Sequence, residues 1–158
     1  MKKIILITLV MIVLPVISHG AGYVLANYGD GGDVHAASYG IELGGIFLSP
    51  YHPNGGAFSL GIGASIADTD EPFSYRKRND GNEQEICATF GAEIVPAFFG
   101  VAGVGFATQD VINPADRTKS TDNNVTWMLG MRYVVQYMNI GLGYDYRRGV
   151  MAGIGVAF

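Results

Sequence analysis

The last third of the chain, Val125 to Phe158, constrains the fold most, because residues there alternate in character with a period of two across three consecutive runs. Val125, Trp127, Leu129, Met131, Tyr133 and Val135 share one face, and Thr126, Met128, Gly130, Arg132, Val134 and Gln136 share the other. After a break at Gln136-Tyr137, Met138, Ile140, Leu142, Tyr144 and Tyr146 stand opposite Asn139, Gly141, Gly143 and Asp145. The last run sets Val150, Ala152, Ile154, Val156 and Phe158 against Met151, Gly153, Gly155 and Ala157. This is the period of a pleated strand and not of a helix. One face is large and apolar to both ends, whereas the other is mostly glycine, alanine and small polar residues. A half-buried sheet in water would place Lys, Glu and Thr on its second face. The economical solution is a membrane-spanning β-barrel, apolar toward lipid and small or polar toward the lumen.

The N-terminus points the same way on independent grounds. Lys2 and Lys3 precede an apolar run from Ile4 to Ile17, closed by Ser18-His19-Gly20. This is the pattern of a secretory signal peptide, expected to be cleaved after Gly20 with Ser18 at the −3 position. Residues 1–20 are thus read as the signal peptide and residues 21–158 as the barrel. Losing Lys2 and Lys3 takes the formal net charge from −4 to −6. That balance argues against nucleic acid as a partner. The single cysteine, Cys87, has no intramolecular disulfide partner and reads as a buried small hydrophobe or a lone thiol.

Upstream of the terminal runs, further strands are expected at Tyr23–Tyr28, about Ala36–Leu48, Phe58–Ala67, Ile86–Ile94 and about Phe98–Thr108, which makes eight. An even number is what a closed single-chain bacterial barrel requires. In the fifth, both registers bury apolar residues, so its phase stays open. Two long polar stretches, Asp68–Glu85 and Gln109–Asn124, read as solvated loops, and Ser49–Gly56 as a proline-rich connection. Turns at Pro96 and Gln136-Tyr137 are tight. Arg147-Arg148-Gly149 suits a three-residue hairpin with Gly149 left-handed. Long loops alternate with short turns, as in up-and-down barrels whose long loops face outward. The fold class is therefore all-β, an eight-stranded antiparallel up-and-down transmembrane β-barrel preceded by a cleaved signal peptide.

With its signal peptide, eight alternating strands and closing strand Val150-Met151-Ala152-Gly153-Ile154-Gly155-Val156-Ala157-Phe158, the chain resembles the small OmpA/OmpX-type outer-membrane β-barrel family over its whole mature region. The resemblance implies a Gram-negative outer membrane, a monomer, and lipid and lipopolysaccharide as surroundings. It also implies that Phe158 matches the terminal aromatic read by the barrel-assembly machinery. Members of this size fill their lumen with ion pairs and conduct poorly.

On this phasing Glu42, Glu93, Arg132 and Asp145 point inward, and an unpaired charge in so narrow a lumen is costly. They read as a lumen charge network that plugs the barrel, whose interior is just wide enough for side chains. A narrow small-solute channel is the alternative. The basic triplet Arg76-Lys77-Arg78, flanked by Phe73 and Tyr75, is the sharpest surface feature and a candidate contact with anionic lipopolysaccharide or another cell surface. Tyr23, Tyr39, Trp127, Tyr133, Tyr137, Tyr144 and Tyr146 read as interface-belt aromatics.

A lipid A acyl ester hydrolase is the other alternative, since some similar small barrels are deacylases with a strand-borne His-x-Ser pair. Here His35 and Ser38 are three apart, which in a strand puts them on opposite faces. No catalytic residue is therefore assigned. His35, His52 and Cys87 lack metal-ligand spacing, and no cofactor is implied. The sequence points to an integral outer-membrane barrel with a structural or surface-interaction role through its outward loops.

Overall fold

A pleated strand sends successive side chains to opposite faces, and eight such strands make up most of the described chain. The computed structural model describes residues 21–48, 56–67, 69, 78–79, 82–113 and 115–158. The proposed signal peptide, residues 1–20, lies outside the described residues, as does most of the Ser49–Gly56 connection. The barrel strands are β1 (Ala21–Asp30), β2 (Ser38–Leu48), β3 (Ala57–Ala67), β4 (Glu83–Val95), β5 (Phe98–Ile112), β6 (Lys119–Val135), β7 (Met138–Asp145) and β8 (Gly149–Ala157). A two-residue segment, Arg78–Asn79, pairs with the far end of β5 opposite Ile112 and Val111.

Every strand pairs antiparallel with the next, and β8 returns to β1 with Val24 opposite Val156 and Ala26 opposite Ile154. The ring is closed, so backbone groups along the wall are paired between strands, as a bilayer demands. At the seam Gly22 and Phe158 exchange backbone hydrogen bonds of 2.6 and 2.8 Å, which fastens the last residue to the first strand.

The outside is apolar. Ile86, Phe106, Leu129, Met131, Leu142 and Ile154 are all exposed, and the inward sets are glycine, small polar residues and buried charges. Aromatic pairs gather toward both ends of the wall: Phe47 stacks on Phe58 and Phe98 meets Tyr133 at a tilt near the termini, while Tyr28 meets Tyr39 and Trp127 meets Tyr144 and Tyr146 at the far end. Such girdles mark the two interfaces of a membrane barrel. Leu142 sits midway along β7, is 61% exposed and lies opposite Met131 and Ala152. Leu142→Arg is expected to destabilise the folded protein in lipid vesicles by about 2–4 kcal/mol in a urea titration. A cost near zero would mean that this face meets water.

Several strand bounds differ from the sequence reading, each for a physical reason. Residues 109–124 are largely strand, and only 113–118 connect β5 to β6. Their polarity reflects an extended ribbon that leaves the apolar belt, where alternation no longer needs a greasy face. Glu83 and Glu85, expected in a loop, belong to β4 and point into the lumen. β1 is longer than expected, and β2 begins at Ser38 instead of Ala36.

Pairing also sets the phase of β5. Opposite Tyr133 and Trp127 stand Phe98 and Val104 on the outer face, so Phe99, Val101 and Ala107 fall inside. Tyr23 departs from its expected place in the interface belt. Opposite Gly44 on β2 and Ala157 on β8, it is 1% exposed inside the lumen. Both sets of alternate residues in β1 are largely apolar, so the sequence carried little phase information there.

The termini, the Pro96-Ala97 turn and the Gln136-Tyr137 turn share one end. Ala97 and Gln136 take left-handed backbone there, with φ of 71° and 52°. The strand ends joined by the β1–β2, β3–β4, β5–β6 and β7–β8 connections share the other. Gly149 is left-handed as the hairpin requires, with φ of 72°.

Candidate functional site: the filled lumen

At the terminus end, Tyr23, Leu25 and Ala157 pack together inside the barrel with Ile46 and Val134 against them. This small apolar cluster lies at the terminus end of the lumen. Immediately above it the first ionic layer is assembled from four strands. Arg132 of β6 donates through Nη2 to both carboxylate oxygens of Glu42 on β2, each at 2.8 Å. Glu42 Oε1 also accepts from the Tyr23 hydroxyl at 2.5 Å and the Thr89 hydroxyl at 2.6 Å. The Arg132 guanidinium lies 4.4 Å from the centre of the Tyr23 ring, an arrangement that adds cation–π attraction. Glycine makes this crowding possible: a Cβ on Gly61 would stand 2.5 Å from Glu42 Oε1 and 2.7 Å from Thr89 Oγ1.

The second layer sits at the far end and is built around the β7–β8 hairpin. Asp145 Oδ1 accepts from the backbone amides of Arg147 and Arg148 at 2.8 and 3.0 Å and from the Thr126 hydroxyl at 3.1 Å. That side chain folds the turn so that both arginines point back into the barrel. Arg147 forms ion pairs with Glu83 and Asp33, and its Nε donates to Glu83 Oε1 at 3.1 Å. Arg148 Nε donates to Ser38 Oγ at 3.0 Å, and its Nη2 donates to Asn27 Oδ1 at 3.2 Å. The hydrogen bonds to Glu83 raise the Arg147 pKa above its ordinary value, whereas burial lowers that of Arg148. The two neighbouring arginines therefore do different work: one ties loop to wall, and the other bonds to neutral acceptors deeper in the lumen.

Of the four charges expected inside, Glu42 and Arg132 meet, and Asp145 lies in the other layer. Glu93 is only partly buried and joins neither layer. It sits at the β4–β5 turn, where its carboxylate accepts from the backbone amides of Ala97 and Ala57, each at 2.9 Å. Glu93 still pairs with inward-facing Phe99, and the ladder becomes irregular only between Glu93 and Val95. Glu83, Glu85, Arg147 and Arg148 were not foreseen inside, because their sequence context is that of loop and turn. The signal available was the hairpin itself, since a turn of only three residues leaves long side chains few places to go.

Phe73, Tyr75, Arg76 and Lys77 lie outside the described residues, and Arg78 is described only as backbone paired to β5. Phe158 lies at the seam, its ring on the outer surface.

His35 and Ser38 do not form a catalytic pair, although not for the reason of strand phase. His35 lies in the 31–37 loop with φ of 51° and faces solvent. Ser38 is 0% exposed, and its hydroxyl is engaged by Arg148 and by the Gly29 carbonyl. Cys87 is a free, buried thiol on the inner face of β4. His52 lies outside the described residues. Among the described residues no group of three His, Cys, Asp or Glu side chains is arranged to hold a metal.

A closed antiparallel ring with an apolar exterior, aromatic girdles and a lumen filled by hydrogen-bonded charge defines a transmembrane β-barrel. Solved structures share this fold. Ail, the attachment invasion locus protein of Yersinia pestis, superposes with a TM-score of 0.53 at 14% identity, over 89% of this chain and 99% of that one. Its complex with the heparin analogue sucrose octasulfate gives a TM-score of 0.53 at 15% identity, over 89% and 99%. The N-terminal β-barrel domain of Pseudomonas aeruginosa OprF aligns with a TM-score of 0.49 at 18% identity, over 89% and 97%. At such identities the likeness is one of fold. No protein-family model and no curated protein sequence matches the chain.

Proposed function

We propose that this chain is a monomeric integral protein of the bacterial outer membrane, exported by the cleaved segment 1–20 and inserted with Phe158 as its assembly signal. Its role is structural and surface-interacting, exercised by the loops at the end opposite the termini, and its lumen is closed. The observation that carries this reading is the β5–β6 ribbon. The ladder between β6 and β7 ends at Met128, yet β5 and β6 stay paired from Val104 opposite Trp127 to Ile112 opposite Lys119. At about 3.4 Å per residue the ribbon runs roughly 30 Å past that point. β4 and Arg78–Asn79 flank its β5 side, and among the described residues no strand is paired to its β6 side, which is the edge offered to an extended segment of a partner.

The connection that carries Arg76-Lys77-Arg78 joins β3 to β4 at the same end. A basic triplet in a connection that ends on the projecting ribbon, where Arg78 pairs with Ile112, suits a polyanionic surface such as lipopolysaccharide or a sulfated sugar. The Yersinia pestis protein of the same fold has been crystallised with a heparin analogue, which makes that chemistry the first probe.

Intact cells expressing the protein are expected to be retained on a heparin-coated surface and released by sucrose octasulfate. Brief trypsin treatment of the same cells should cut after Arg117, exposed in the 113–118 connection, and abolish retention while the barrel keeps its heat-dependent gel mobility. Cleavage that occurs only after the outer membrane is permeabilised would reverse the orientation. Retention equal to that of cells lacking the protein would sink the polyanion reading.

A further inference from the structure

Between the two ionic layers the lumen opens into a cavity of about 50 Å³. A water position takes at least ~10–15 Å³ on this measure, so the space suits about three to five small occupants and no organic solute. Its charged lining is Glu42, Glu85 and Asp145 against Arg132 and Arg148, an excess of one negative charge. Glu42 takes both of its Arg132 hydrogen bonds from Nη2, Arg132 Nε and Nη1 have no hydrogen-bond partner among the described residues, and the guanidinium hydrogen bonds described for Arg148 go to neutral oxygens of Ser38 and Asn27. Asp145 directs Oδ1 to the hairpin amides, but its Oδ2 has no hydrogen-bond partner among the described residues. Glu85 Oε2 is likewise without one. Both residues are more than nine-tenths buried and line the same cavity.

We propose that this cavity is a binding site for one monovalent metal cation, sodium or potassium, held between Glu85 Oε2 and Asp145 Oδ2 with a few waters completing its shell. The charge excess is one, which a single monovalent ion neutralises. Two buried carboxylate oxygens of like charge facing one low-dielectric space repel each other, and a cation between them turns that repulsion into attraction. A divalent ion would call for a larger set of oxygen ligands than two carboxylates and this room provide. The site is separate from the loops invoked for surface interaction and does not depend on them. Above it, the Arg147 bridge to Asp33 and Glu83 separates it from the loop end.

The backbone amides of Arg147 and Arg148 report on the site, because both donate to the other oxygen of Asp145. In the detergent-solubilised full-length protein, their NMR shifts are expected to change saturably as sodium or potassium chloride is added. N-methylglucamine chloride at matched ionic strength should produce no saturable change. Glu85→Gln, which keeps the side chain's size, should weaken the response about tenfold or more by removing one charged ligand. Asp145→Asn keeps an acceptor for the hairpin amides and serves as the second variant should the first fold poorly. The same response in all three salts would reduce the effect to ionic strength and overturn the proposal. So would a saturable response unaffected by either substitution. A response to pH at fixed salt, with none to sodium or potassium, would put a shared proton in the site instead.

Discussion

Arg132→Ala is expected to be the most damaging single truncation inside the lumen, lowering stability by about 3–5 kcal/mol. The Arg132 side chain is 3% exposed and that of Glu42 4%, so removing the guanidinium leaves a carboxylate with no cation beside it and no bulk water to reach it. Tyr23 and Thr89 would still donate to Glu42 Oε1, but two neutral hydroxyls do not offset a buried charge. The cost arises from leaving one partner behind and not from the worth of the pair. The double variant Glu42→Gln with Arg132→Met should therefore recover most of the loss. Urea titration of the refolded barrel, followed by gel mobility and by the fluorescence of Trp127, measures both. A loss below about 1 kcal/mol for Arg132→Ala would mean that the lumen admits enough water to solvate Glu42, and the closed-lumen reading would fail with it. Planar-bilayer recordings on the same variant address the channel alternative directly: conductance that appears only on removing Arg132 marks it as part of the plug.

The second large effect is expected at the seam. A Cβ on Gly155 would overlap the Val24 carbonyl oxygen and approach Leu25 Cα at 2.7 Å, and both obstacles are backbone of the strand that closes the ring. No rotamer change relieves such an overlap. Gly155→Val should exceed the ~1–3 kcal/mol of ordinary overpacking, with β8 unable to seat on β1. The readout is loss of the compact, heat-sensitive gel species after refolding into detergent. Gly63→Ala is the control, because its Cβ would meet nothing closer than 3.6 Å. Equal behaviour of the two variants would show that seam geometry is not what limits closure.

The two substitutions probe what a small barrel asks of its inward residues. Polar side chains must find partners across a narrow lumen, and glycine must stand wherever the wall or a filled lumen comes too close for a Cβ. This accounts for the face of glycine and small polar residues in β7 and β8, which in a water-soluble sheet would be an unusual choice.

Much of the fold was legible in sequence for a local reason. Which way a strand residue points is fixed by the pleat, so Leu129, Leu142 and Ile154 could be assigned outward, and Glu42, Arg132 and Asp145 inward, from spacing alone. The assignment weakened where both faces are apolar, as at Tyr23 and in β5, and where polarity had a cause other than a loop, as in the β5–β6 ribbon. Glu93 keeps the inward phase, opposite Phe99, but lies so close to the turn that backbone amides take its carboxylate.

Which inward groups meet was decided by the tertiary structure. Glu42 and Arg132 are 90 residues apart, and Glu83 and Arg147 are 64 apart. Their encounter depends on how strands slide past one another and on closure of the ring. Strand direction is a property of the pleat and can be read one residue at a time. The partner of a buried charge is a property of the register summed around the whole barrel, and no stretch of sequence carries it.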